Sequence, residues 1–199
     1  MNFLAHIYLS GEDEGITIGN FIADGIKGKK YLKYPEKIQK GILLHRGIDN
    51  YTDRHKIVRQ STARLHKNYG HYSGVIVDIL YDHFLAKNWS QYHSQPLNEY
   101  VDGFYELLRS SYEVLPNRIK RLMPYMISDN WLLSYATVPG ISKILSQMNV
   151  RTKGISKMNF AVLDLEENYS EFEDEFTSFF SELINFSKNK LIELHNDYP

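Results

Sequence analysis

The chain has 199 residues, of which 43% are hydrophobic and 14% aromatic, and its formal net charge is −1. This length and composition predict one globular domain with a sizeable core and exclude a disordered chain. The sequence contains no cysteine, which excludes disulfides, thiolate metal ligands and a cysteine nucleophile. The near-neutral charge argues against a general nucleic-acid-binding surface, so no nucleic-acid partner is expected.

The first residues, MNFLAHIYLSGEDEG, do not form a signal peptide. They lack a basic region, a long apolar run and a small-residue cleavage site. No apolar stretch of the sequence approaches the ~20 residues that cross a membrane. We therefore expect a soluble cytoplasmic protein without a membrane partner.

Apolar residues recur at helical intervals along the chain, and strand-like alternation is scarce. After a short apolar opening, helices are predicted over residues 15–28, 35–51, 52–69, 73–89, 96–113 and 116–135. A shorter helix begins at Pro139, and the last helix covers about residues 168–195. The pattern predicts an all-α fold of about seven or eight helices. Because no repeat, low-complexity tract or linker interrupts it, we expect a single compact domain over residues 1–199.

Two of the predicted helices place histidine and aspartate among apolar neighbours. The first is the 35–51 helix, which would carry three such residues four positions apart if it continues to Asp53, and the second is the 73–89 helix, which carries an aspartate pair with a following histidine. The residues are His45, Asp49 and Asp53, then Asp78, Asp82 and His83. Residues four apart share one helix face, so each set should project as a stripe. Unpaired carboxylates are costly to bury, and a bound cation would remove that cost.

His6 and Asp24 extend this set, since each lies in or at the end of an apolar run. Imidazole and carboxylate ligands without thiolate suit Mn²⁺, Fe²⁺, Mg²⁺ or Zn²⁺, and these residues alone do not choose among them. The sequence has no phosphate-binding loop and no serine-nucleophile motif. A metal-activated water is therefore the expected nucleophile, and Arg46 could hold a phosphate oxygen.

Structural explanations remain open for each of these residues. Asp49 and Asp53 could form ion pairs with Arg46 and Arg54, and His6 could be a hydrogen-bonded core residue. The two aspartates of the 73–89 helix could lie on an exposed face or form an ion pair within the helix. Asp24 could cap the turn that follows it.

Four motifs stand out in roughly the first 90 residues: MNFLAH, then GNFIADGIKG at 19–28, GILLHRGIDNYTDRH at 41–55 and DILYDHFLAKNW at 78–89. Together they resemble the acyl carrier protein phosphodiesterase family. The resemblance implies an enzyme that cleaves the phosphodiester between 4′-phosphopantetheine and the serine of holo-acyl carrier protein. It also implies kinship with the HD metal-dependent phosphohydrolases and a divalent metal cofactor, with Mn²⁺ preferred and Mg²⁺ or Fe²⁺ as alternatives.

The adjacent Asp82-His83 pair departs from the HD pattern, in which a His-Asp pair follows an earlier histidine. Because the order here is reversed, the usual HD ligand assignments do not transfer. The candidate ligands at this chain's own motif positions are Asp24, His45, Asp49, Asp82 and His83, followed by His6, Asp53 and Asp78. Arg46 would neutralise phosphoryl oxygens, while Asp53 or His83 would orient the water or protonate the leaving serine oxygen.

A lysine-rich stretch joins the Asp24 and His45 segments. It contains Lys27, Lys29, Lys30 and Lys33, followed by Lys37 and Lys40, with Glu36 as the single opposing charge. Its position predicts that it lies beside the site. Since acyl carrier proteins are strongly acidic, the stretch is a candidate docking surface for holo-acyl carrier protein, with an ordinary solvated loop as the alternative.

Two other functions remain open at this point. One is a metal phosphohydrolase that acts on a small nucleotide or another phosphodiester. The other is a non-catalytic helical module that binds a carrier protein. The sequence also leaves open the oligomeric state, the physiological carrier and the acceptance of acylated arms.

Overall fold

The computed structural model describes residues 1–197, which contain eleven α-helices and no strand. The helices have the following bounds: α1 Phe3–Tyr8, α2 Glu14–Ile22, α3 Glu36–Arg54, α4 Lys56–Tyr69, α5 Ser73–Lys87, α6 Leu97–Ser110, α7 Asn117–Ser128, α8 Trp131–Ser134, α9 Val138–Arg151, α10 Ala161–Glu167 and α11 Tyr169–Asp197. The predicted all-α class is confirmed, and eight of these helices have nine residues or more, in line with the expected number. The last two residues of the predicted domain, 198–199, lie outside the described residues.

The boundary between α3 and α4 lies three residues later than predicted. α3 continues to Arg54, so His45, Asp49 and Asp53 do share one helix. The chain turns at His55, whose backbone is extended (φ −70°, ψ 132°), and its Nδ1 accepts a hydrogen bond from the first turn of α4. An imidazole that caps the next helix is the local reason for the break.

Two other predicted helices end early. The predicted 15–28 helix stops at Ile22, and the 3₁₀ turn Ala23–Gly25 and the 3₁₀ segment Gly28–Lys33 follow it. The predicted 116–135 helix is divided because Asn130 adopts a left-handed backbone conformation (φ 45°), which α-helices do not accommodate. The first of these breaks matters for function, because it turns Asp24 and the lysine-rich stretch away from α2.

The core is organised around α5, which is buried along most of its length, and α11, which packs against α3, α4 and α5. The apolar face of α11 is fully buried and consists of Phe172, Phe176, Phe179, Phe180 and Leu183. Burying an aromatic or leucine side chain contributes roughly 1.5–3 kcal/mol, so this face is a major source of stability. Within residues 1–197, no helix combines the length and apolar character that a bilayer span requires.

The helices α2 and α3 cross at nearly backbone contact. A Cβ atom placed on Gly19 would lie 2.2 Å from the Ile38 carbonyl oxygen, and one on Gly41 would lie 2.2 Å from the Ile16 carbonyl oxygen. Only glycine at these two positions permits so close an approach. The crossing brings Asn20 of α2 and His45 of α3 next to each other.

Candidate metal centre

Side chains from α1 and α3 form a compact group of ligand atoms, here called the His–Asp cluster: His6, His45 and Asp49. One ligand atom from each residue lies within 4.8 Å of the others. His45 Nε2 is 3.0 Å from Asp49 Oδ2, and His6 Nε2 is 3.3 Å from Asp49 Oδ1. Both imidazoles are buried, whereas the Asp49 side chain is 42% exposed. The cluster is therefore accessible from the Asp49 side.

Asn20 determines the orientation of both imidazoles. Its Nδ2 donates to the His6 carbonyl oxygen at 2.8 Å and to Ser10 Oγ at 2.9 Å, which leaves its Oδ1 facing the rings. Oδ1 lies 2.8 Å from His6 Nδ1 and 3.2 Å from His45 Nδ1. Because an amide oxygen only accepts, both Nδ1 atoms carry hydrogen. In the neutral rings both Nε2 atoms then offer a lone pair on the side of Asp49.

Asp24 reaches the cluster from the 3₁₀ turn after α2. Its Oδ1 lies 3.3 Å from His45 Nε2, and its side chain is 64% exposed. Asp24 therefore forms the outer edge of the cluster, between the buried imidazoles and solvent. Of the predicted metal ligands, the structure brings together His6, Asp24, His45 and Asp49.

The charges in the cluster are strongly coupled. Burial alone would lower the pKa of His45, but its hydrogen bonds with Asp24 and Asp49 dominate and raise it to about 9. Burial likewise opposes ionisation of Asp49, yet the two histidines hold its pKa well below the usual range. The pKa of His6 is lowered by burial and by the charge of His45. The cluster thus keeps its carboxylates ionised and gathers one positive charge, which a metal cation could replace.

The donor atoms fit a divalent cation. His6 Nε2 is buried, and its contact with Asp49 Oδ1, at 3.3 Å, is too weak to satisfy it as a hydrogen bond within residues 1–197. An unsatisfied buried polar atom costs about 1–3 kcal/mol, and coordination to a metal would remove this cost. Two imidazole nitrogens with carboxylate oxygens form a ligand set that Mn²⁺, Fe²⁺ or Zn²⁺ accepts.

Asp82 lies apart from the cluster and caps a helix instead. It is fully buried, and its carboxylate accepts hydrogen bonds from the backbone N–H groups of Asn2, Leu4 and Ala5 at 2.7–3.3 Å. The first amides of α1 have no partner within their own helix, and Asp82 satisfies them. Burial raises the pKa of Asp82 to about 7. Its position therefore does not support the expected ligand role.

His83 also forms its hydrogen bonds outside the cluster. Its Nδ1 donates to the Tyr135 carbonyl oxygen at 2.7 Å, and its Nε2 accepts from the Tyr169 hydroxyl at 2.8 Å. Consecutive residues on an α-helix differ in direction by about 100°, which separates His83 from Asp82. Because both ring nitrogens have protein partners, the structure does not support the expected ligand and catalytic roles of His83.

Asp53 and Asp78 line a separate groove of about 620 Å³ beside α4 and α5. Asp78 pairs with the amino group of Met1 at 2.8 Å. Asp53 lies eight residues after His45 on α3. Each step of four residues rotates the side-chain direction by about 40° around the helix axis, so Asp53 points away from the cluster. Burial, followed by the charges of Asp78 and Asp49, raises the pKa of Asp53. Neither residue contributes a ligand atom to the cluster.

Arg46 anchors the chain segment that follows Asp24. Its Nη2 donates to the carbonyl oxygens of Ile26 at 2.9 Å and Gly28 at 2.8 Å, and its guanidinium lies 5.1 Å from the centre of the Tyr31 ring. The predicted phosphate-binding role of Arg46 therefore competes with a structural one. These contacts hold the lysine-rich stretch next to the edge of the cluster.

Four lysines of this stretch are exposed and form no ion pair within residues 1–197, namely Lys27, Lys29, Lys30 and Lys33. Lys37 and Lys40 differ, because they pair with Asp13 and Glu36 at 2.8 and 2.6 Å. We refer to the four exposed lysines as the lysine patch. The patch follows Asp24 along the chain, and its predicted role as a docking surface stays a prediction.

Sequence reasoning missed Asn20. The signal that could have identified it is an amide within the apolar run IGNFIA, where an asparagine has no role unless it is hydrogen-bonded. Its partners, however, lie on α1 and α3, which are distant in sequence.

Comparison with known proteins identifies one family. A family model described as acyl carrier protein phosphodiesterase matches residues 1–183. The chain is 30% identical to the acyl carrier protein phosphodiesterase of Pectobacterium atrosepticum, over 96% of this chain and 99% of the relative. It is also 30% identical to the protein of the same name from Yersinia pestis, over 96% of this chain and 100% of the relative. No solved structure matches, so the expected likeness to HD phosphohydrolases stays a prediction. The match along the chain shows that it belongs to the acyl carrier protein phosphodiesterase family.

Proposed function

We propose that this protein is a metal-dependent phosphodiesterase that removes 4′-phosphopantetheine from holo-acyl carrier protein. The products are apo-acyl carrier protein and free 4′-phosphopantetheine. The observation that carries the proposal is the His–Asp cluster, which lies in a chain of this family and brings two buried imidazole nitrogens together with the Asp49 carboxylate. A cytoplasmic location follows from this substrate and is part of the proposal.

The proposed cofactor is a divalent cation held by His6, His45 and Asp49, with Asp24 at the exposed edge. Mn²⁺ is the first choice because the family resemblance implies it, and Mg²⁺ or Fe²⁺ are the alternatives; imidazole and carboxylate ligands are compatible with several divalent ions and do not choose among them. When bound, such an ion supplies Lewis acidity towards a phosphoryl oxygen and lowers the pKa of a water. Asn20 supports this site by keeping hydrogen on both Nδ1 atoms and both Nε2 atoms free for coordination.

The residues around the cluster would handle the proton. In the net reaction a water oxygen bonds to phosphorus, the bond from phosphorus to the serine oxygen breaks, and a proton reaches the leaving serine oxygen. Asp24 is exposed. In the metal-free cluster its hydrogen bond with His45 lowers its pKa, which keeps its carboxylate ionised. We assign to its second oxygen the transfer of this proton from the water to the serine.

The acidic carrier would dock on the lysine patch. Its four exposed ammonium groups lie on a segment that Arg46 holds beside Asp24. Electrostatic docking acts mainly on the association rate and weakens as salt screens the charges. The patch would therefore deliver the phosphopantetheine arm to the outer edge of the cluster.

The decisive experiment incubates the purified protein with holo-acyl carrier protein and Mn²⁺ and follows the carrier by mass spectrometry. We expect the carrier to lose the mass of its phosphopantetheine arm and the free arm to appear. Chelator-treated protein should be inactive until Mn²⁺ is restored. Faster cleavage of a small phosphodiester than of holo-carrier would point to a small-molecule phosphohydrolase. Absence of both bound metal and hydrolysis would leave a carrier-binding module.

A further inference from the structure

A cavity of about 180 Å³ adjoins the His–Asp cluster on the side of Asp24. It lies between the start of α1, the 3₁₀ turn after α2, and the helices α5, α7, α8 and α9. Its walls combine apolar side chains, such as Phe3, Val75 and Ile144, with the amides of Asn2 and Gln147. This mixture suits a ligand that carries both alkyl and polar groups.

Two arginines line this cavity without an acidic partner. Arg118 lies in the first turn of α7 and Arg151 at the end of α9. Neither guanidinium forms an ion pair within residues 1–197, and Arg151 lies over the Trp131 ring at 5.5 Å from its centre. The carboxylate that lines the cavity, Asp24, is already engaged with His45. Guanidinium groups in this setting are suited to bind a phosphate.

Trp131 separates this cavity from a neighbouring groove, because its ring lines both. Its Nε1 is buried and has no hydrogen-bond partner within residues 1–197. The ring also carries the Arg151 guanidinium on its face, so Trp131 helps to hold that arginine at the cavity.

We propose that this cavity binds the phosphate end of 4′-phosphopantetheine and that Arg118 and Arg151 are its phosphate-binding residues. This inference rests on the proposed function of the His–Asp cluster and adds the substrate subsite. Asp24 connects the two, because it lies 3.3 Å from His45 and also lines the cavity. A phosphoryl group beside Asp24 would face the cluster on one side and the arginines on the other.

The dimensions and walls of the cavity define which part of the arm it takes. Pockets that enclose a drug-sized ligand measure about 300–1,000 Å³, so this cavity suits only the phosphate and the adjoining dimethyl-bearing carbons. The apolar side chains of Phe3, Val75 and Ile144 would contact those methyl groups, and the thiol end of the arm would extend beyond the cavity. Because Arg118 and Arg151 would bind the phosphate, Arg46 is not required for this role and retains its hydrogen bonds to the carbonyl oxygens of Ile26 and Gly28.

The test measures the binding of free 4′-phosphopantetheine and of pantetheine, which lacks the phosphate, to Mn²⁺-loaded protein by titration calorimetry. The variants are Arg118→Gln and Arg151→Gln, with Arg121→Gln as the control, because Arg121 is exposed on α7 and does not line the cavity. We expect each cavity variant to weaken 4′-phosphopantetheine binding at least about tenfold and to leave pantetheine binding unchanged. Arg121→Gln should match wild type.

Two results would overturn the inference: wild-type protein that binds both compounds equally, or cavity variants with wild-type affinity for 4′-phosphopantetheine. Unchanged Mn²⁺ affinity and circular dichroism in the variants would show that the cluster and the fold are intact. Hydrolysis of holo-carrier by wild type separates the two proposals. If wild type cleaves it and the cavity variants retain full kcat/KM, only the subsite is refuted. If wild type binds through the arginines but does not cleave holo-carrier, only the proposed reaction is refuted.

Discussion

The imidazole rings of His6 and His45 are stacked, with their centroids 4.0 Å apart and their planes 22° apart. Two imidazolium ions in this arrangement would repel each other strongly, because both rings are buried. Burial, followed by the charge of His45, lowers the pKa of His6, whereas the hydrogen bonds of His45 with Asp24 and Asp49 outweigh burial and raise the pKa of His45 to about 9. The pair is therefore suited to share one cation with Asp49.

The first prediction removes ligands from the cluster. His45→Ala and Asp49→Ala should each weaken Mn²⁺ binding by more than about 100-fold, which exceeds the loss seen when only an outer hydrogen-bond partner is removed. Hydrolysis of holo-carrier should disappear while the helical circular dichroism is retained. His71→Ala, at an exposed histidine outside the cluster, is the matched control. Normal turnover in both cluster variants would exclude α3 from the site.

The second prediction concerns Asn20, which contacts both rings without being a ligand. Asn20→Leu keeps a similar volume but removes the acceptor of both Nδ1 hydrogens, so the rings can adopt other tautomers and orientations. We expect Mn²⁺ affinity to fall about 10–100-fold, with hydrolysis partly recovered at high Mn²⁺. Asn50→Leu, at an exposed position of α3, should have no effect on the metal. Wild-type affinity in Asn20→Leu would show that the rings are oriented by packing alone.

The third prediction distinguishes the two roles of Arg46. Lysine keeps the charge but cannot reproduce the planar donor group that contacts Ile26 and Gly28. In Arg46→Lys we expect faster amide hydrogen exchange over residues 26–33 and a raised KM for holo-carrier, with kcat nearly unchanged. A fall in kcat with unaltered exchange would instead support direct contact with the phosphate.

The fourth prediction reverses the lysine patch. Changing Lys29, Lys30 and Lys33 to Glu should raise the KM for holo-carrier and flatten its salt dependence, because docking is electrostatic. Cleavage of a small phosphodiester should change little. The control reverses three exposed lysines elsewhere: Lys56, Lys67 and Lys188. If both substrates suffer equally, the patch supports the fold or the metal site. If neither is affected, the carrier docks elsewhere.

The fifth prediction is a pH dependence of stability that arises from His83. Burial lowers the pKa of His83 in the folded protein, whereas the unfolded chain binds the proton near the ordinary value of about 6.5. The contribution of buried, neutral His83 to the free energy of unfolding is therefore complete above pH ~6.5. It is lost as the pH falls through the pKa of His83 in the folded protein. In chelator, the unfolding free energy should decline less steeply below pH ~6.5 in His83→Gln than in wild type. Denaturant titrations at several pH values would measure this free energy. If it falls equally steeply below pH ~6.5 in wild type and in His83→Gln, a contribution from His83 is excluded.

Local periodicity was sufficient to predict the all-α class, most of the longer helices and the placement of His45 and Asp49 on one helix face. All of these depend on neighbours within a few residues, since spacings of four place side chains on one face. The same spacing rule placed Asp53 with His45 and Asp49, which was wrong. A helix has 3.6 residues per turn, so residues eight positions apart no longer share one face closely enough to meet at one site.

Contacts between distant segments explain what the sequence could not show. Asp82 looked like a ligand because it is an aspartate among apolar residues, yet its partners are amides about 80 positions earlier in the chain. His6 was only a secondary candidate, and its place in the cluster depends on how α1 packs against α2 and α3. Periodicity carries no information about such packing.

The glycine crossing of α2 and α3 makes the cluster sensitive to changes in the backbone. Gly19 and Gly41 bring the two backbones together, and Asn20 follows the first glycine while His45 lies one turn after the second. The distance from Asn20 to His45 is therefore determined by main-chain contact rather than by adjustable side chains. A larger residue at either glycine would separate the two helices and change the orientation of the His45 imidazole without replacing any ligand.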